Sequence, residues 1–555
     1  MSPHRPGPHR DALPVRPGRS VAPSSPAPGH ERAIGSHSHE GAIESHSHEE
    51  AIGSHPHDGA NGSHSRAPGV RVAPPLPRRT LPAAVAVPAG GLVVVVVTVA
   101  AVLAPFAVAG VAGLAGLVAL FWRHPRAGLL ATVGAALLAP ALGALLGAAG
   151  GALDEALIVV GAVVVTVRRL VLERSLVWFP GIAWFAAFGL VGAVSALLHD
   201  VPTTLWVQGA LLLLKAVLVG HTAAQLHWGD VEIARLVRIG AVVAVALVVT
   251  GLLNLLAPGP WTALVAQSSP EMHGPLPAVV GPFRQPAAYG RLAVVLAAAT
   301  LTYQLVVRAS LRGYALALAL SGLTLLTFRV KSFVGLVAAT TGVVLRAGPR
   351  PVVRLALAAL PAVLLLVGPA AWTYVVGDLD LYYGGGYSAR SLLTAGGLLI
   401  AAREFPLGVG FGRYGSAVAA EHYSPEYVRL GFEYIWGLGR ADGWGAYLLD
   451  TQWPALLGET GWLGTLCYAV GVLATFAVLL RRVTPDESRL TRWLRISGVC
   501  CLVLVLLDSV GASALSSPPA YVLLYLAPGM VAAMRFDARA RRRVPLAART
   551  TGCAP

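Results

Sequence analysis

Val237-Arg-Ile-Gly-Ala-Val-Val-Ala-Val-Ala-Leu-Val-Val-Thr-Gly-Leu-Leu-Asn-Leu-Leu256 carries one charge, Arg238, near its start. An α-helix of that length covers the hydrocarbon of a bilayer, which takes about 20 residues. Runs of the same character recur near 83–103, 106–122, 128–148, 153–167, 176–198, 204–222, 288–307, 313–328, 332–346, 354–376, 456–480, 496–513 and 519–534. The expectation is an all-α polytopic membrane protein with about fourteen transmembrane helices. Composition agrees: of 555 residues, 55% are hydrophobic and only 12% charged, too apolar for a water-facing surface. The formal charge of +15 does not point to nucleic acid, because the basic residues sit in short clusters between apolar runs, with no single stripe. Cys467, Cys500, Cys501 and Cys553 lack ligand spacing and outer-loop partners, so neither a structural disulfide nor cysteine-bound zinc is expected.

Five regions follow. Residues 1–80 are rich in Pro, Ser, Gly and His and hold a nine-residue repeat, Ala33-Ile-Gly-Ser-His-Ser-His39, Ala42-Ile-Glu-Ser-His-Ser-His48 and Ala51-Ile-Gly-Ser-His-Pro-His57. Such a segment cannot bury enough apolar surface to fold; it reads as a disordered cytoplasmic tail, and its paired histidines receive no role. Residues 81–376 carry the first eleven spans, 377–455 form a large loop that reads as a small helical subdomain, 456–534 carry the last three spans, and 535–555 are a basic tail. Arg and Lys concentrate on the cytoplasmic side of membrane proteins. In this scheme Arg78/Arg79, Arg123/Arg126, Arg168/Arg169/Arg174, Arg235/Arg238, Arg308/Arg312, Arg346/Arg350/Arg354, Arg481 to Arg495 and Arg535 to Arg543 share one side, with both termini. The loops 257–287 and 377–455 then face outward. The basic residues left outside, among them Arg284, Arg291, Arg329, Lys331, Arg390, Arg403, Arg413, Arg429 and Arg440, oppose the bias and ask for a use.

Three outer constellations carry candidate chemistry. Gly281-Pro-Phe-Arg284-Gln-Pro-Ala-Ala-Tyr289-Gly-Arg291 stands at the start of a helix, where free amides and two arginines suit an anion; Arg284 equally suits snorkelling to headgroups or an outer carboxylate. Arg329-Val-Lys331-Ser332 places two cations in a tight turn with no nearby acid, a charge that a bound diphosphate would balance. In the large loop, Ser388 to Arg403 reads as an apolar helix along the membrane surface, followed by a Gly-rich turn, Pro406-Leu-Gly408-Val-Gly410-Phe-Gly412, whose glycines permit close approach to a ligand. Beyond it, Tyr423, Tyr427, Tyr434, Trp436, Trp444, Tyr447 and Trp453 alternate with carboxylates, as a sugar groove or an interfacial aromatic belt would require.

These elements resemble the O-antigen ligase/polymerase family of lipid-linked glycan transferases. The family's large outer loop carries an arginine, a Pro-(Leu)-x-Gly-x-Gly-(Phe)-Gly run, and a polar residue nine positions before the Glu of Glu-x-Gly-x-x-Gly. Here these are Arg390, Pro406 to Gly412, and Asp450 before Glu459-Thr-Gly461-Trp-Leu-Gly464. Gly281-Pro-Phe-Arg284-Gln285-Pro is similar to a Gly-x-Phe-x-Asn-Pro element, and Val330-Lys331-Ser332 to a Ser-Arg-Gly/Ser turn. The matches span about residues 281–464; outside them only hydropathy agrees. Ligases that attach finished glycan to a lipid usually place His where Asp450 stands, whereas polymerases and exopolysaccharide enzymes vary there, so polymerase and ligase both stay open.

The resemblance implies a membrane fold like the C-type glycosyltransferases, a bacterial inner-membrane location and no cofactor or metal. It further implies an undecaprenyl-diphosphate-linked glycan donor and a glycan or glycolipid acceptor. Asp450 and Arg390 would be catalytic, Arg284, Arg291, Arg329 and Lys331 substrate-binding, and Gly408, Gly410, Gly412, Glu459 and Gly461 structural. Physical chemistry adds roles: cations stabilise the departing diphosphate, Asp450 accepts or orients the attacking hydroxyl's proton, and Glu459 braces the loop against a helix start. The rival is a lipid-linked glycan transporter or flippase, which needs no Asp450-to-Glu459 motif.

Overall fold

The computed structural model describes residues 105–349, 376, 388–440, 445 and 447–543. The tail 1–80, the span near 83–103, all but Val376 of the span near 354–376, Asp442, Trp444 and Cys553 lie outside the described residues.

Helix follows helix almost without pause. α1 (Pro105–Arg123), α2 (Pro125–Leu146) and α3 (Ala148–Glu173) are separated only by His124 and Gly147, the latter at φ 62°. α4 (Ile182–Leu198), α5 (Thr203–Ala224) and α6 (Asp230–Leu256) come next, then short α7 (Pro258–Val265). A hairpin of two-residue strands, β1 (Met272–His273) and β2 (Leu276–Pro277), is the small departure from an all-α chain. α8 (Pro286–Val306), α9 (Leu311–Leu325) and α10 (Val330–Ala347) precede a segment holding α11 (Ala389–Arg403), α12 (Ala417–Glu421) and α13 (Pro425–Arg429). α14 (Trp453–Leu480), α15 (Arg489–Asp508), α16 (Ala520–Leu524) and α17 (Leu526–Arg543) complete it.

Local sequence sets these starts. Pro occupies the first turn of α2, α7, α8, α13 and α14, where its missing N–H leaves no helical bond unmade. Ser310, Ser388, Ser416, Ser424 and Ser488 each accept a hydrogen bond from a first-turn amide of the helix they precede.

Among the described residues, six helices are long and apolar enough to cross a bilayer: α5, α6, α8, α10, α14 and α15. α4 and α9 are shorter apolar helices, and so are the stretches Gly110–Arg123 of α1 and Pro125–Ala139 of α2. The chain is thus mostly helical and built for a membrane, with fewer self-sufficient spans than the sequence suggests. The reasons are local. The run at 176–198 is helical only from Ile182, and that at 519–534 breaks into five-residue α16 and α17. α17 then continues through Arg543, into the basic tail.

Three apolar cores hold the bundle. In the largest, Phe185 and Phe188 of α4 meet Tyr468 of α14 edge-on at 5.5 and 5.0 Å, and α3, α5, α15 and α17 close around them. In the second, Tyr289 of α8 is fully buried against α6 and α9 and donates to Leu247 O at 3.0 Å. The third packs Val294 of α8, Val343 of α10 and Leu504 of α15.

The basic clusters gather at one end of this bundle. Arg126 pairs with Glu232 at 3.1 Å, Arg168 Nε donates to Trp122 O at 3.0 Å, and Arg492 reaches Arg346 O at 3.4 Å. Arg169, expected at the water-facing end, is 1% exposed and lies 3.3 Å from Glu173 and 3.5 Å from Asp537. Burying that guanidinium is tolerable because two carboxylates and the Phe536 ring surround it.

Candidate functional site

α8, α10 and α15 share an opposite end, and a cavity of about 850 Å³ opens there. Its wall includes Arg284, Arg291, Arg329, Lys331, Arg390 and Asp450, residues drawn from 166 positions of chain between Arg284 and Asp450. Five cations thus line one space with three carboxylates, Glu271, Asp450 and Asp508. The starts of α8 and α10 also open into it, and neither Gln285 nor Arg329, the residues preceding those helices, caps the first turn with its side chain. Uncapped amides and the helix dipoles add to the positive potential.

The cations are held differently. Arg291, one turn into α8, forms an ion pair with Asp508 at the end of α15. Arg329 pairs with Glu271 at 2.5 Å, both well exposed, and Phe328 stacks on His273 at 4.3 Å, which ties the hairpin to the start of α10. Lys331 donates to Gly511 O, past the end of α15. Arg284 is exposed on the cavity wall and makes no ion pair among the described residues. Sequence reasoning misses Glu271 and Asp508: each is a lone acid beside an apolar run, and only the fold brings it to a cation.

Arg390 and Asp450 are one unit. Nε and Nη2 of Arg390 both donate to Oδ2 of Asp450, at 3.0 and 2.8 Å, and the guanidinium lies 5.0 Å over the Tyr447 ring. Arg390 is the second residue of α11, Asp450 stands three residues before α14, and both are about a quarter exposed. The arrangement anchors the carboxylate at the cavity edge.

Gly408, Gly410, Gly412, Glu459 and Gly461 do not line this cavity. They form a clasp between the loop and α14. Val409 N donates to Gly458 O at 3.0 Å and Gly410 N to Glu459 O at 2.8 Å. The Glu459 side chain is fully buried, and its Oε1 accepts from Gly412 N at 2.9 Å and Tyr414 N at 3.2 Å. A Cβ on Gly461 would stand 2.2 Å from the Leu407 carbonyl carbon, and its φ of 63° interrupts α14. The glycines therefore admit a helix rather than a ligand. Glu459 braces the loop as expected, but through loop amides, seven residues into the helical segment and two before its break.

The clasp seats a small helical subdomain. Phe411 inserts against Phe188 at 5.3 Å, and Ser195 at the end of α4 donates to Gly408 O. Above it Leu393, Ile400, Tyr414, Tyr423, Tyr427 and Phe432 form a core of their own. Tyr423 and Tyr427 are therefore neither belt nor sugar platform, and burial pushes both phenols up from their ordinary range. Tyr434 and Trp436 remain exposed. α11 packs on α14, with Gly397 against Pro454, and leaves Leu398 and Leu399 exposed. Arg403 and Arg429 converge on buried Glu426 at 2.9 and 2.5 Å, and Arg440 covers the Tyr423 ring at 5.3 Å, so these three arginines serve the subdomain.

Deep in the bundle the structure adds a charge cluster that the sequence does not advertise. Lys215 of α5, 6% exposed, lies 3.4 Å from Glu155 and 3.9 Å from Asp154, whose Oδ2 also accepts from Tyr521 OH at 2.6 Å. The signals are one lysine in an otherwise apolar run and the adjacent acids Asp154 and Glu155 at the start of another. No protein-family model and no curated protein matches the chain.

Proposed function

We propose that the chain is a glycosyltransferase of the O-antigen ligase/polymerase type, acting outside a bacterial inner membrane through about fourteen spans with both termini inside. The donor is an undecaprenyl-diphosphate-linked glycan and the acceptor a sugar hydroxyl of a glycan or glycolipid. The observation that carries this is the convergence of Arg284, Arg291, Arg329, Lys331, Arg390 and Asp450 on one cavity. Its cationic excess and two helix starts suit a diphosphate whose charge grows as it leaves.

In the proposed step the acceptor oxygen bonds to the anomeric carbon while the bond from that carbon to the diphosphate oxygen breaks. The diphosphate leaves with the electron pair, and Arg284 and Lys331 take up its charge. The hydroxyl's proton passes to Asp450, which Arg390 holds in place. Arg291 and Arg329, already paired with Asp508 and Glu271, shape the wall and keep its potential positive. Exclusion of water from such a cavity strengthens each contact.

The buried Lys215 and Asp154, with half-buried Glu155 beside them, favour a second possibility, a transporter of the same lipid-linked glycan, since ionisable groups inside a bundle mark transport paths. The glycan profile of a deletion strain separates the two. Short chains, or finished polymer left on its lipid outside, support transfer. Lipid-linked glycan trapped at the inner leaflet supports transport and contradicts transfer.

A further inference from the structure

The end of the bundle remote from the candidate site has a cavity of about 580 Å³ between the α1–α2 turn, the end of α3, the α5–α6 connection and α17. We propose that it holds one anionic glycerophospholipid, its phosphate on Arg123, Arg168 and Arg235 and an acyl chain along Leu130, Val133 and Ile239.

The charge at its mouth asks for an anion. Four arginines line it against Glu173 and Glu232, and both acids are already engaged. Glu232 pairs with Arg126 and accepts from Gly229 N at 3.0 Å, while Glu173 serves Arg169 and His227. Arg123 and Arg235 are exposed and make no ion pair among the described residues. α2 begins here, and His124 before it provides no side-chain cap, so first-turn amides face the same space. Arginine forks match phosphate oxygens.

The rest of the cavity identifies the anion as a lipid. Leu129, Leu130, Val133, Leu236 and Ile239 form an apolar wall, which a soluble phosphate would leave wet. Ile239 is also 42% exposed on the flank of α6, so the wall runs out onto the apolar side of the bundle. Basic pockets between membrane helices that open onto an apolar flank hold lipid headgroups for this reason. The volume lies within the ~300–1,000 Å³ typical of small-molecule sites.

The full-length protein, purified in neutral detergent, is tested by native mass spectrometry with dioleoylphosphatidylglycerol, dioleoylphosphatidylcholine or glycerol phosphate. Wild type is expected to retain one phosphatidylglycerol, and neither of the others. Arg123→Gln with Arg235→Gln should weaken retention by at least about 10-fold at unchanged melting temperature, since both side chains are exposed. The double Lys variant should recover part of it, and Arg284→Gln, at the other end, should retain the lipid fully. Equal retention of phosphatidylcholine, displacement of the lipid by glycerol phosphate at equal concentration, or unchanged retention in the double Gln variant would each overturn the proposal.

Discussion

Arg284 differs from the other cavity cations because no carboxylate among the described residues neutralises it. A leaving diphosphate would therefore meet an unspent charge at this position. Arg284→Ala is expected to lower transfer by about 10²-fold, the size of a lost oxyanion donor, at normal protein abundance. Arg284→Lys should recover only part, since an ammonium cannot form a bidentate fork. Asp450 and Arg390 share their hydrogen bonds and cannot act additively. A double-mutant cycle of Asp450→Asn and Arg390→Gln, read in transfer rate, should give a coupling of about 0.5–3 kcal/mol. Strict additivity would mean that the pair is not a functional unit. Near-normal rates for Asp450→Asn would remove it as proton acceptor. At this scale the orientation bias of basic residues singled out Arg284, Arg291, Arg329, Lys331 and Arg390 in the sequence, and the structure gathers them on one cavity. Their partners Glu271 and Asp508 were illegible because a carboxylate at a membrane edge breaks no rule.

The clasp between the Gly408–Gly412 turn and the Gly458–Gly461 step of α14 ties the loop to the helix that follows Asp450. Glu459→Ala removes the acceptor of two buried amides, and a buried donor left without a partner costs about 1–3 kcal/mol. Phe411→Ala empties a site against Phe188 and Gly192 of α4, at a cost of about 3–5 kcal/mol. Both variants should cleave faster in the 388–452 segment under limited proteolysis, and both should lose transfer although neither residue lines the cavity. Unchanged proteolysis would show that the clasp does not hold the subdomain. Acid should loosen the same region. The hydrogen bond from Arg403, ahead of one from His199, holds Glu404 below the ordinary glutamate range despite some burial. A depressed folded value contributes stability above the unfolded pKa and loses it as pH falls through the folded one. Protease resistance of the subdomain should therefore drop on acidification below the ordinary glutamate range, and Glu404→Gln should flatten that profile. The sequence shows the glycines and Glu459 but not their purpose. A small residue that admits a ligand and one that admits a helix look alike until the chain from 406 is laid against the chain from 458.

Over the whole molecule, one end of the bundle gathers most of the arginine clusters and the other gathers the candidate cavity, on opposite ends of α8, α10 and α15. The orientation bias of basic residues predicts that the cavity end faces outward. In a Cys553→Ser background, Tyr434→Cys, at a side chain 80% exposed, should react with an impermeant thiol reagent in intact cells, and Arg541→Cys only after lysis. The reverse pattern would invert the topology. The all-α membrane class was legible because hydropathy is additive along the chain, and each of the twelve sequence-defined runs within the described residues contains helix. Their individual sufficiency as spans was less so: breaks such as those before Ile182 and Leu526 depend on neighbours that hydropathy does not see. The most direct measurement is transfer in proteoliposomes containing only the purified chain, undecaprenyl-diphosphate-linked glycan and an acceptor glycan, followed by separation of products by size. Wild type should produce longer or transferred glycan and release undecaprenyl diphosphate, and Arg284→Ala with Lys331→Ala should abolish both products; unchanged output from that double variant, or no product from wild type with the donor present in both leaflets, would contradict a transferase built on this cavity.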